Sequence, residues 1–177
     1  MELAPDAKVL DCGCGGGANI RRLLKKCPQG IVKGIDYSPV SVEKARSLNR
    51  AAIQEGRCVV WQGSVERIIF AKDWFDAVTA FETVYFWPDL PQCFREVYRV
   101  LKEDGVLIAP TFTHAGNSFS GKAKAFFMKL AGFPLHSRWT SEEYLRVLRQ
   151  NGWTVRKSAV LKASFPLTYA ECVKMEV

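Results

Sequence analysis

The sequence predicts an α/β fold in which helices cover both faces of a mostly parallel sheet, and three observations support it. Apolar runs typical of buried strands alternate with amphipathic helical patterns through most of the 177 residues. A glycine-rich loop, from Asp11 to Gly17, follows the first apolar run. The last two runs are joined by a few residues around Pro166, which suits an antiparallel hairpin because a parallel return needs about a dozen residues.

The first two strands are short apolar runs that each end on an acid. Strand one runs from Lys8 to Asp11, and strand two from Ile31 to Asp36. The helix between them begins near Ala18 and places its apolar residues on one face, as expected of a helix packed on a sheet. Those residues are Ile20, Leu23, Leu24 and Cys27.

Capping signals locate the helices that follow. Ser38-Pro39 predicts the start of a helix that runs to about Ala52, and Asp89 caps a helix that Gly105 closes. Thr140–Glu143 forms a capping box for a helix through Leu148, ended by Asn151-Gly152. The remaining predicted strands are Cys58–Gln62, Phe75–Phe81, Val106–Ala109, Thr154–Leu161 and Thr168–Met175.

Length and composition indicate one domain over residues 1–177, with an inserted segment at about 112–139. No apolar run approaches the roughly 20 residues that span a bilayer, and no signal peptide is visible. The six cysteines contain no Cys-x-x-Cys pair, so we expect reduced thiols in the cytoplasm and no metal site. Residues 111–177 hold 10 Lys and Arg against 4 Asp and Glu, a local basic excess within a net charge of +7.

The glycine-rich loop is predicted to bind a nucleotide cofactor. Gly13, Gly15 and Gly17 let the chain turn sharply and bring its backbone close to a ligand. The pattern Gly13-x-Gly15-x-x-Ala18 also fits dinucleotide binding, so the neighbouring acids must distinguish between the two types of cofactor. A carboxylate at Asp11 favours the cationic S-adenosylmethionine (SAM) over an anionic pyrophosphate, and Asp36 is placed to bind ribose hydroxyls.

Together these residues resemble the class I SAM-dependent methyltransferases, over nearly the full chain. Phe75–Val78 resembles the fourth strand of that family, and Arg99–Leu107 resembles the stretch leading into its fifth. The resemblance implies a Rossmann-like three-layer sandwich with a seven-stranded sheet in the order 3-2-1-4-5-7-6 and a C-terminal antiparallel hairpin.

The resemblance also implies the cofactor contacts. Asp36 binds the ribose, Tyr37 lies near the adenine, and Ser64 stands where the family usually has an acid that meets the adenine amino group. Asp11 lies toward the methionine end, directly or through water. The predicted cofactor-binding residues are Asp11, Cys12, Gly13, Gly15, Gly17, Asp36, Tyr37, Ser64, Val65 and Phe81.

The predicted function is methyl transfer from SAM to a small-molecule acceptor. Strand one begins within ten residues of Met1, so this sequence is expected either to be a truncated product or fragment, or to have the lid that the preceding helices usually form supplied in another way. An alternative is therefore a SAM-binding, non-catalytic subunit or remnant domain without its N-terminal lid. An NAD-dependent oxidoreductase would need a substrate domain for which the chain leaves little room. No nucleic-acid partner is expected, since Ala80–Thr83 differs from the Asn/Asp-Pro-Pro-Tyr/Phe motif of many base-amino methyltransferases.

Methyl transfer is an in-line displacement that depends mainly on positioning, so the sequence assigns no catalytic base. Glu82, Tyr85 and His114 are the candidates should the acceptor lose a proton.

Aromatic residues after strand four, Phe81 and Tyr85–Trp87, predict an apolar substrate pocket. The amphipathic segment 118–131 is predicted to cap that pocket or to touch a membrane surface, which would suit a lipid-like acceptor such as a quinone precursor. A small polar acceptor is equally open, and the oligomeric state is not predicted.

Overall fold

The computed structural model describes residues 2–113, 139–161 and 166–175, and strands and helices alternate along most of that length. The first half holds β1 (Lys8–Cys12), α1 (Ala18–Lys26), β2 (Ile31–Asp36), α2 (Pro39–Leu48), α3 (Arg50–Gln54), β3 (Cys58–Gln62) and β4 (Phe75–Thr79). The second half holds a 3-10 turn (Val84–Phe86), α4 (Leu90–Val100), β5 (Leu101–Ile108), β6 (Thr111–Phe112), α5 (Ser141–Gln150), β7 (Trp153–Leu161) and β8 (Leu167–Lys174).

These strands form one sheet in the order β3-β2-β1-β4-β5-β8, with β7 and β6 both paired to β8. The first five strands are parallel, whereas β8 is antiparallel to β5, β6 and β7. The predicted order and C-terminal hairpin are therefore confirmed, with β7 and β8 as the last two predicted strands. The described residues add an eighth strand, the two-residue β6, which the sequence analysis missed.

Two helix boundaries differ from the prediction. The helix expected from Ser38 to about Ala52 is interrupted at Asn49, where α2 ends and α3 begins. The buried amide of Asn49 donates to the carbonyls of Ala45 and Gly17, 2.9 and 3.1 Å away. A side chain that bonds the preceding turn competes with the helix backbone, which accounts for the break.

The end of α4 was also predicted wrongly, because Gly105 does not close it. The helix ends at Val100, and Leu101 is already extended and pairs with Phe75 of β4. Gly105 lies inside β5, where the register with β4 shifts between Leu101 and Val106. Strand β4 ends at Thr79, two residues before the predicted Phe81.

Apolar side chains fill both faces of the sheet. One cluster packs α1 and α2 on the sheet through residues such as Ile20, Leu23 and Ala45. The other packs α4 and α5 on the opposite face around Phe94 and Trp153. This arrangement is the predicted three-layer sandwich.

All six cysteines are free and buried. In the part of the chain that the structure describes, no helix is both long and apolar enough to cross a bilayer. The cap predicted at about 112–139 lies outside the described ranges except for residues 112, 113 and 139, and the amphipathic segment 118–131 lies wholly outside them.

Candidate functional site

A cavity of about 800 Å³ opens at the carboxyl ends of β1 to β4. This edge is where ligands bind in open α/β sheets, next to the point where the strand order reverses. Here the order reverses between β1 and β4. The cavity is lined by Gly13, Gly15, Ile35, Asp36, Tyr37, Ser38, Ser41, Gly63, Ser64, Val65, Glu66, Phe81, Glu82, Thr83, Phe86, Trp87, Pro88 and Cys93.

The glycine-rich loop after β1 has three residues with left-handed backbone, at φ of 67° for Gly13, 51° for Gly15 and 81° for Gly17. A Cβ at Gly13 would collide with the Thr83 side chain, and one at Gly17 would come within 2.8 Å of the backbone of Ala45. At Gly15 nothing lies within 4 Å of that position. The loop thus leaves open space at Gly15, on the cavity wall, where a ligand fits against the backbone.

Asp36, at the end of β2, fixes this loop. Its Oδ2 accepts a hydrogen bond from the Gly15 backbone N–H at 2.8 Å, and its Oδ1 accepts one from the Ser38 N–H at 2.9 Å. The side chain is half-buried and lines the cavity. A carboxylate oxygen accepts more than one hydrogen bond, so Asp36 retains the capacity to bind two hydroxyls of a ribose.

The loop after β3 holds a further acid that the sequence analysis missed. Ser64 Oγ donates to Glu66 Oε2 at 2.8 Å, and the Glu66 carbonyl accepts from the Gln92 side chain at 2.9 Å. Glu66 is half-buried and lines the same cavity as Ser64. Ser64 stands where the family usually has an acid, and Glu66 follows two residues later. This proximity was the only signal for Glu66 in the sequence.

Asp11 lies at the back of the loop. It is 1% exposed, and its Oδ1 accepts from Asn19 at 2.9 Å and from Thr79 Oγ1 at 2.6 Å. Its Oδ2 is buried without a hydrogen-bond partner among the described residues. Burial raises the pKa of Asp11 from 3.8 to about 6 although these two donors lower it.

Aromatic side chains form the part of the cavity wall that follows β4. Phe81, Phe86 and Trp87 line this part of the cavity together with Glu82. Tyr85 is buried, and its hydroxyl donates to Glu82 Oε2 at 3.4 Å. An apolar acceptor is the ligand that such a wall suits.

The structure brings together seven of the ten predicted cofactor-binding residues. Those on the cavity wall are Gly13, Gly15, Asp36, Tyr37, Ser64, Val65 and Phe81. Asp11, Cys12 and Gly17 are buried behind that wall and are not among the lining residues. Of the candidate bases, Glu82 lines the cavity, and Tyr85 hydrogen-bonds to Glu82. His114 lies outside the described residues.

The charges on the cavity wall favour one type of ligand. The lining residues that the structure describes include the carboxylates of Asp36, Glu66 and Glu82 and no Lys, Arg or His. An anionic pyrophosphate would meet like charge there, whereas a nucleoside with a cationic tail would be attracted. The described cavity therefore suits SAM better than a dinucleotide.

Comparison with known proteins shows similarity to methyltransferases. A family model described as a methyltransferase domain matches residues 10–109. Cycloartenol-C-24-methyltransferase 1 of Oryza sativa subsp. japonica is 36% identical over 102 residues, which are 58% of this chain and 29% of that protein. The chloroplastic 2-methyl-6-phytyl-1,4-hydroquinone methyltransferase of Arabidopsis thaliana is 32% identical over 110 residues, 61% of this chain and 31% of that protein. The chain thus spans about three-tenths of the length of these relatives.

A solved structure extends the likeness to the whole fold. Geranyl diphosphate C-methyltransferase from Streptomyces coelicolor A3(2) superposes with a TM-score of 0.81 over 98% of this chain and 74% of that one. Its sequence identity is 17%, so the likeness is one of fold. That structure was determined with Mg²⁺, geranyl diphosphate and S-adenosyl-L-homocysteine.

Proposed function

The chain belongs to the methyltransferase domain family, in its class I SAM-dependent branch, and on that basis we propose that it transfers a methyl group from SAM to a small apolar molecule. When bound, SAM supplies a methyl group activated by its sulfonium. The part of the protein is to hold donor and acceptor in line and to exclude water, which accounts for most of the acceleration in such displacements.

The observation that carries the cofactor assignment is the pairing of Asp36 with the Gly15 backbone. The acid lies at the end of β2, and the open space at Gly15 lies beside it on the wall of the cavity. We assign the ribose to Asp36, the adenine to the side of Tyr37, Ser64 and Val65, and the methionine end to Gly13, Gly15 and Phe81. Asp11, Cys12 and Gly17 support the loop from behind, so their contribution to cofactor binding is through its shape.

The acceptor is proposed to be an apolar, isoprenoid-like molecule. The aromatic wall of Phe81, Phe86 and Trp87 supports this, as do relatives that are named for a sterol and for a phytyl hydroquinone. A non-catalytic SAM-binding subunit is not favoured, since the described cavity extends beyond the glycine loop to a wall suited to an acceptor.

We propose the cytoplasm as the place of action, and we propose that the segment 118–131 contacts a membrane surface that holds an apolar acceptor. The six free, buried cysteines support a reducing compartment. Binding to liposomes by the full chain, compared with a variant in which Lys122 and Lys129 are replaced by Glu, tests the membrane contact.

Calorimetric titration with S-adenosylhomocysteine (SAH), with NADH as the control ligand, tests the cofactor. We expect micromolar binding of SAH and none of NADH; binding of NADH alone would overturn the proposal. Transfer of a labelled methyl group from SAM to cycloartenol or 2-methyl-6-phytyl-1,4-hydroquinone then tests the acceptor class. SAH binding without transfer to any apolar acceptor would favour the non-catalytic alternative.

A further inference from the structure

Glu82 has a backbone conformation that is rare for its residue type. Its φ is 58°, in the left-handed region, where a residue with a side chain is strained. It directly follows the aromatic Phe81 beyond the end of β4, and its N–H donates to the Pro110 carbonyl at 3.0 Å. The turn places the carboxyl group on the cavity wall.

The carboxyl group of Glu82 is poorly satisfied there. Its Oε1 is buried with no hydrogen-bond partner among the described residues, and its Oε2 accepts a long bond of 3.4 Å from the Tyr85 hydroxyl. The Phe112 backbone also hydrogen-bonds to the carboxyl group. A buried carboxylate oxygen without a partner is costly, and this cost favours the protonated form of the group.

The groups that face Glu82 come from three elements. Tyr85 faces it from the 3-10 turn, the Phe112 backbone from β6, and the buried Tyr144 from α5. None of these groups carries a positive charge, and neither does any described residue of the cavity wall. Burial raises the pKa of Glu82 from 4.5 to about 7, although the Phe112 backbone and the Tyr85 hydroxyl lower it.

We propose that Glu82 is the proton acceptor of the reaction and that a positively charged donor in the cavity, rather than a fixed basic residue, brings it into its ionised form. This rests on the proposed function, because the charge is that of the sulfonium. With SAH, whose sulfur is neutral, about half of the carboxyl groups stay protonated near neutral pH. Without SAM the carboxyl group thus keeps a proton and cannot accept another, whereas with SAM it is ionised and able to accept one.

The step balances in atoms and charge. Glu82 accepts the proton that the acceptor loses as the acceptor atom forms its bond to the methyl carbon. The electron pair of the broken carbon–sulfur bond stays on the sulfur, and the pair of the broken acceptor–hydrogen bond stays on the acceptor. A cation and a carboxylate thus become two neutral groups, so the net charge in the cavity does not change.

The test counts protons released on ligand binding and needs no acceptor. Titration calorimetry near neutral pH, in two buffers that differ in ionisation heat, gives this number for SAM and for SAH. We expect SAM to release about half a proton more than SAH from the wild-type chain, since Glu82 is about half protonated there. The affinity for SAM relative to SAH should rise as the pH increases from about 6 to 8.

Glu82→Gln should abolish the difference between the two ligands while SAH binding stays within about threefold, and Glu55→Gln, outside the cavity, should preserve it. Tyr85→Phe, which removes a donor that lowers the Glu82 pKa, should increase the difference above neutral pH.

Equal proton release for SAM and SAH in the wild type, or a difference that persists in Glu82→Gln, overturns the inference alone. Absence of SAH binding in the wild type overturns the proposed function, and the inference with it.

Discussion

At the scale of single residues, two acids of the loop region have opposite environments. Asp36 is half-buried and accepts two backbone hydrogen bonds, whereas Asp11 is fully buried and leaves one oxygen without a described partner. The sequence analysis placed both at the cofactor. The structure places Asp36 on the cavity wall and Asp11 behind it, bonded to Asn19 and Thr79.

Asp11→Asn is expected to change how stability depends on pH. The Asp11 pKa is raised in the folded chain, from 3.8 to about 6, so its ionisation opposes folding as the pH rises through this interval. The neutral Asn does not have this effect. The free energy of unfolding of the variant minus that of the wild type should therefore increase by about 1–3 kcal/mol between low pH and pH values above about 6. Urea unfolding from pH 4 to 8 measures this difference, and a difference independent of pH would contradict the burial effect.

Asp36→Asn should weaken SAH binding by about 1–3 kcal/mol, because one oxygen that accepts from the backbone and the ribose is replaced by a donor. Glu43→Gln removes the same charge from α2 at a residue that does not line the cavity, and should change the affinity little. The two dissociation constants, measured by calorimetry, check the ribose assignment. Equal affinities of both variants and the wild type would show that the ribose binds elsewhere.

At the scale of elements, the junction of α2 and α3 supports the glycine loop. Asn49 is 4% exposed, and its amide links Ala45 of α2 to Gly17 at the start of α1. Gly17 is needed at this point because a Cβ there would overlap the backbone of Ala45. The sequence showed Gly17 as part of the loop, but not its contact with α2, which depends on how the two helices pack.

Asn49→Ala should lower the free energy of unfolding by about 1–3 kcal/mol, since the Gly17 and Ala45 carbonyls lose a buried donor. SAH affinity should fall as well, because the loop loses its support from α2. Gln54→Ala, at an exposed position of α3, is the matched control and should stay within about 0.5 kcal/mol of the wild type. A loss of stability in Asn49→Ala without any loss of affinity would show that the loop holds its shape unaided.

Strands and helix starts were predictable because local signals determine them. Ser38, Asp89 and Thr140 cap their helices as expected, each through a side-chain oxygen that accepts from a backbone N–H. The ends were less predictable, since long-range pairing decides them: Leu101 leaves α4 in order to pair with Phe75 of β4. Strand β6 pairs with β8, more than fifty residues away, over two residues only, too short a run for a periodic pattern.

At the scale of the whole molecule, β8 joins the C-terminal part of the chain to the sheet. It pairs with β5, β6 and β7, and Lys174 at its end is buried and bonds Asp73 and Glu103 at 3.1 and 3.2 Å. The cavity lies among the first strands, which belong to the same continuous sheet. Ligand binding at the cavity should therefore stabilise the fold as one unit.

SAH is expected to raise the thermal unfolding temperature in a concentration-dependent way. A ligand that binds only the folded state adds about 2.7 kcal/mol of stability at 100 times its dissociation constant. Differential scanning calorimetry should show a single transition that moves upward with SAH and stays in place with NADH. Two transitions, of which only one moves, would show that the part around β8 unfolds independently of the cavity.

The hydrogen bond from Gly15 to Asp36 holds the glycine loop through a contact within the protein itself. Since the protein's own carboxylate holds this loop, we expect the loss of chain entropy in ordering it to occur on folding rather than on ligand binding. Association should accordingly be fast and limited by encounter, with no slow rearrangement of this loop to follow it. We therefore expect this loop to be a preorganised part of the cofactor site.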